Sequence, residues 1–160
     1  MKSLLTFCLF FSAIALSQGQ SSYTWFEGDT PRTVWLDTNW GARLEYPKNK
    51  NSAPRVTFVR LTRGAKNLEP VFRNSKTTGG RMVLPGNVVV RFKSEVTAEE
   101  VKKWVTSKNS EIVDKIKWEP NTYVITSIAG LATLELANRV RGDDEVIGAE
   151  PVWWTENVKK

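Results

Sequence analysis

Catalysis needs groups that move protons, hold metals or attack carbon, and this chain is short of them. Its 160 residues include no histidine. That removes Ser-His-Asp and Cys-His machinery and every metal site built with histidine. The single cysteine, Cys8, has no partner for an intramolecular disulfide. Serines are present, yet no Ser-x-x-Lys stands at a helix start with supporting partners. Thr77-Thr78-Gly79-Gly80 lacks the Lys-Ser/Thr ending of a phosphate-binding loop and reads as a connector. The sequence points to a protein that binds rather than catalyses, with no catalytic residue, metal or cofactor.

The residues best suited to gripping a partner lie near the end of the chain. Val146-Ile147-Gly148-Ala149-Glu150-Pro151-Val152-Trp153-Trp154 leads into Thr155-Glu156-Asn157-Val158-Lys159-Lys160. A tandem tryptophan beyond a strand either folds back onto its own core or anchors an interface, and the two uses are compatible.

Several elements must position this segment. Met1-Lys2, an apolar run from Leu4 to Leu16 and the small residues Ala15, Ser17 and Gly19 read as an export signal over residues 1–20. The run is too short for a spanning helix, which needs about 20 apolar residues. The expected location is therefore secreted or periplasmic, with no membrane attachment after signal removal. The net charge of +6 is spread without a dense run, and Arg55, Arg60, Arg63 and Lys66 come nearest to a cluster.

Residues 21–76 carry short alternating runs and turn formers, which predict a small β-rich subdomain. Residues 77–85 read as a linker. From 86 to 154 the pattern is more regular. Val88 to Lys93 is a strand, Thr97-Ala98-Glu99-Glu100 is a capping box, and a helix with Val101, Trp104 and Val105 on one side follows. Strands at 111–118 and 122–128, a helix from Leu131 to about Arg141 and a strand at 146–149 complete the series. The order β-α-β-β-α-β predicts an α+β, ferredoxin-like domain with both helices on one sheet face. The other face is left open, and alternation places Val89, Arg91, Val113, Lys115, Val124 and Thr126 on it. RNA-recognition modules share this order, but the Lys/Arg-Gly-Phe/Tyr-Gly/Ala-Phe signature is absent, so no nucleic-acid partner is expected.

Three segments carry a family resemblance. Leu84-Pro85-Gly86-Asn87-Val88-Val89-Val90-Arg91-Phe92 resembles the opening strand of the propeptides of secreted subtilisin-like serine proteases. Leu131 to Val140 resembles their second helix, and Val146 to Trp154 resembles the strand before the maturation site. Pro70-Val71-Phe72-Arg73 and the Gly-rich connector are similar to the segment upstream. The resemblance covers about half of the chain well and the N-terminal half loosely.

It implies that the open sheet face docks on the protease. It also implies that the tail, Trp153 to Lys160, lies in the substrate cleft, so that the domain both assists folding and inhibits. Because the sequence ends at Lys160, the expectation is a free-standing inhibitor or intermolecular chaperone acting in trans. If Lys160 fills the primary pocket, the partner is kexin-like in preferring basic residues. Three alternatives stand beside it: a non-inhibitory secreted module whose residues 21–84 cover the open face, an inhibitor of another protease class, and a truncated precursor remnant.

Overall fold

The computed structural model describes residues 21–47, 53–76 and 78–156. The expected signal segment and the residues from Asn157 onward lie outside them. The described chain runs β1 (Ser22–Glu27), β2 (Thr30–Glu45), β3 (Arg55–Arg60), β4 (Glu69–Arg73), β5 (Arg81–Val83) and β6 (Asn87–Phe92). It continues through α1 (Ala98–Ser107), β7 (Ile112–Lys115), β8 (Thr122–Thr126), α2 (Leu131–Val140), β9 (Val146–Pro151) and β10 (Trp154–Thr155).

The strands form two antiparallel sheets. The first has six strands in the order β1-β2-β4-β5-β10, with β3 also paired to β2. Its organiser is β2, 16 residues long. Trp35 pairs with Ser22 on one edge and Arg73 on the other, while Ala42 pairs with Phe58 and Glu69. So β1 and β3 lie end to end along one edge of β2, and β4 runs along the opposite edge. A register shift between Leu36 and Gly41 bends the strand between its two halves.

The second sheet has four strands in the order β7-β8-β6-β9. Val88, Val90, Phe92, Tyr123, Ile125, Val146 and Ala149 form one buried face against Val101, Trp104 and Val105 of α1 and Leu136, Ala137 and Val140 of α2. The Thr97 hydroxyl accepts from the Glu100 amide, and the Glu100 carboxylate accepts from the Thr97 amide at 2.8 Å, so α1 starts on a complete capping box. The other side of α2 meets the first sheet. Leu131 and Leu134 pack with Val34, Phe72, Leu84, Tyr23, Trp25 and Trp153. α2 is thus a filling between two sheets.

Two adjacent crossings join the sheets, β5 to β6 and β9 to β10. At the first, Gly86 has φ +99°, and a Cβ there would stand 2.7 Å from the Ser127 carbonyl oxygen. Only glycine makes this turn without displacing backbone. At the second, the Val152 amide donates to Asn87 O at 2.9 Å.

The expectation of an α+β, ferredoxin-like domain behind a small β-rich subdomain is overturned. Strands hold 45% and helices 15% of the described residues, in two antiparallel sheets, so the molecule is mostly β. The first sheet is the larger of the two, not an appendage. The reasons are specific. Beyond the register shift Trp40, Ala42 and Leu44 alternate as Val34 and Leu36 do but on the opposite face, so the short runs expected there belong to one long strand that serves two cores. Residues 77–85, expected as a linker, contain β5, which pairs with both β4 and β10, and Val83 and Leu84 are fully buried.

Candidate functional site

Directly paired residues in an antiparallel sheet share a face, so the register fixes the open side of the second sheet. Asn87, Val89 and Arg91 on β6 stand beside Thr126, Val124 and Thr122 on β8. Glu150 and Gly148 on β9 pair with Val89 and Arg91. Asp114 of β7 pairs with Val124. Of the expected docking residues, Val89, Arg91, Val124 and Thr126 do come together here.

Lys115 does not. The ladder slips between Ile112 and Asp114, so Lys115 pairs with Tyr123 on the helix-covered face. Its ammonium lies 5.2 Å from the Tyr123 ring centroid. Simple alternation counts one residue per step, and a bulge adds one, which inverts every side chain after it. Val113 sits in that bulge. It lines a cleft with Val124 and Thr126, walled on the far side by Tyr46, Pro47 and Pro54, with a volume of about 660 Å³.

Charge on this face is mostly tied down. Arg91 Nη2 lies 2.7 Å from Glu119 Oε2, and this hydrogen bond holds the Glu119 carboxyl below the usual carboxylate range. Glu150 Oε1 accepts from the Gly28 amide at 2.7 Å, which ties the β1–β2 turn to the edge of β9. Tyr46 donates to Pro85 O at 2.8 Å, and burial, with Glu69 nearby, pushes its phenol up. Beyond the face, in the β7–β8 turn, Trp118 is 83% exposed.

The expected cleft tail has a different surrounding. Trp153 lies 5.8 Å from Trp25 and 5.5 Å from Phe72, ring centre to ring centre, inside the core between the first sheet and α2. Trp154 faces Phe58 at 5.7 Å and pairs with Val83, and Thr155 pairs with Met82. Glu156 accepts from Arg81 Nε at 2.9 Å and donates its amide to Arg81 O at 2.8 Å. These four residues are therefore a sheet edge, not a free tail. Asn157, Val158, Lys159 and Lys160 lie outside the described residues.

Sequence reasoning missed the group that holds this end. The Arg81 guanidinium sits 4.6 Å from the Trp40 ring centroid and 4.1 Å from that of Phe58 while it bonds Glu156. Beside it Arg73 Nε bonds the buried Asp37 at 2.6 Å. The signal was the alternation of Trp40 and Phe58 with their apolar neighbours, but nothing local ties either to residue 81. Compared with family models, with curated proteins and with solved structures, the chain matches none.

Proposed function

We propose that the chain is an exported, propeptide-like ligand of a subtilisin-like serine protease, docking through the open face of the four-stranded sheet and serving as inhibitor, folding chaperone or both. One observation carries the reading. The first sheet packs against α2 and leaves the β6–β8 face, with half-buried Val89 and Val124, without a covering helix or sheet among the described residues, although Tyr46, Pro47 and Pro54 wall one side of it. Apolar sheet faces left partly open in this way can serve as interaction surfaces. The segment resemblance supplies the class of partner. In this reading Trp153 to Glu156 are taken up by the sheet edge, and the part of the tail offered to the cleft is Asn157 to Lys160.

The test is inhibition and refolding of a subtilisin-like protease from the same compartment. Adding the chain should slow peptide hydrolysis and raise the yield of refolded enzyme. Val89→Asp with Val124→Asp should weaken inhibition by at least about tenfold, the loss expected for desolvating charges at an interface centre. Lys115→Ala, on the other face, should change nothing. Inhibition of no such protease, or equal inhibition by the double variant, overturns the proposal.

A further inference from the structure

The net charge of +6 is local. Residues 41–68 contain seven of the 23 lysines and arginines and one of the 17 acids, Glu45, so this stretch carries all of it. The sixteen bases and sixteen acids elsewhere cancel. In the structure Arg43, Arg55, Arg60, Arg63 and Lys66 are exposed on β2, β3 and the turn after β3. None of them bonds a carboxylate among the described residues, whereas Arg32, Arg73, Arg81, Arg91 and Arg141 each do. Like charges gathered without counter-ions repel, and an acidic partner relieves that repulsion.

Among the described residues the backbone beside these cations is also unpaired on one side, because β3 pairs there with β2 alone. The Leu61 amide donates to Asn39 O at 2.8 Å, and the register runs on without a break from Trp40↔Arg60 to Glu45↔Arg55. Antiparallel ladders alternate hydrogen-bonded and non-bonded pairs. The residues bonded to β2 are therefore Val59, Thr57 and Arg55, and the N–H and C=O groups of Val56, Phe58 and Arg60 point away from the sheet. A single charge is enough to guard such an edge against chance pairing. Here several arginines flank it, and arginine matches carboxylate in two-point geometry.

We infer that the β3 edge is a docking site for an extended acidic segment of a partner protein, added as a further strand. Its backbone pairs with Val56, Phe58 and Arg60, and its carboxylates, all on one face of the added strand, meet Arg55 and Arg43, which share a face, while Arg60 points to the other. A lipid surface or a nucleic acid would answer the charge but leave the strand edge unpaired, which is why the peptide is favoured. The site is separate from the open face of the second sheet and does not depend on the protease reading.

The probe is a fluorescent peptide of roughly ten residues alternating Glu and Val, long enough to span a strand of ordinary length. Phosphatidylglycerol vesicles, a single-stranded DNA oligomer and the same peptide with Lys for Glu serve as comparisons. The peptide should bind saturably and lose affinity with added salt, and the Lys version should not bind. Amide exchange at Val56, Phe58 and Arg60 should slow on binding. Arg43→Gln and Arg55→Gln together should weaken binding by about tenfold or more, and Arg60→Gln, on the opposite face, should do so less, while circular dichroism stays the same, since all three side chains are exposed. The inference is overturned by absence of binding, by unchanged affinity of the Arg43→Gln, Arg55→Gln variant, by unaltered amide exchange, or by tighter binding to vesicles or DNA.

Discussion

Arg81 shows how much one side chain can join. Its guanidinium stacks between Trp40 and Phe58 and bonds Glu156, which is 75 positions away in sequence. The carboxylate of Glu156 is held below its ordinary range, first by the hydrogen bond from Arg81. Its folded-state pKa is thus lower than its unfolded one. The stabilisation is complete above the unfolded value of about 4.3 and is lost as pH falls through the lower folded value. The protection of the Glu156 amide, which donates to Arg81 O, expressed relative to its intrinsic exchange rate at each pH, should therefore hold down to about pH 5 and fall in stronger acid. Glu156→Gln should remove the pH dependence, and a profile in that variant identical to the original would contradict the assignment. Arg81→Met keeps the stacking volume and deletes the charge. It should loosen β10 by about 1 kcal/mol, the modest scale of a partly exposed ion pair, measured as faster exchange there while β6 and β8 are unaffected. At this scale a sequence says little, because no pattern links Trp40, Phe58, Arg81 and Glu156.

Among the elements, legibility followed the range of the contacts that define them. The capping box at Thr97 and Glu100, the stripe Val101-Trp104-Val105 and the strand around Val88, Val90 and Phe92 announce themselves within a few residues, and all are present. β5 and β10 span three residues and two, too short for any periodicity, and exist because each finds the other across more than 70 positions. The bulge in β7 is invisible for a related reason, since Glu111 to Lys115 alternates well enough without it. Tryptophans make the same contrast measurable. Trp153 is packed among Trp25, Phe72 and the α2 face, whereas Trp118 is 83% exposed in a turn. Trp153→Ala should cost about 3 kcal/mol, the lower end of the range for deleting a buried aromatic, because Trp153 is partly buried. Trp118→Ala should stay within about 0.5 kcal/mol, as surface changes do. Denaturant titration of both variants checks this, and equal losses would mean that the β9–β10 crossing is not part of the core.

The whole molecule is organised around α2, a ten-residue helix buried from two sides. Its stripe reads as an ordinary amphipathic face if Leu136, Ala137 and Val140 are considered, and they do meet the second sheet. Leu131 and Leu134 point elsewhere and need the first sheet to cover them. A two-sided apolar helix in a sequence is a request for a third layer, and the first sheet supplies it. The consequence is testable by removing residues up to Leu84. The deletion takes β1 to β5, strips the cover from Leu131, Leu134 and Trp153, and leaves β10 without a partner strand. It also removes the ties from Asn138 to Thr24 O and from Arg141 to Gly28 O, each at 2.8 Å. Three large apolar side chains newly in water forfeit about 1.5–3 kcal/mol each, a sum comparable to the whole stability of a small domain. The shortened chain should therefore keep far-UV dichroism from α1, α2 and the second sheet but lose near-UV signal and bind a hydrophobic dye, the signs of lost packing. Val89→Asp with Val124→Asp in the full chain should do neither, because those residues face away from α2. A deletion that unfolds cooperatively at the same denaturant midpoint as the full chain would show instead that the second sheet and its helices stand alone, and that the first sheet merely rests on α2.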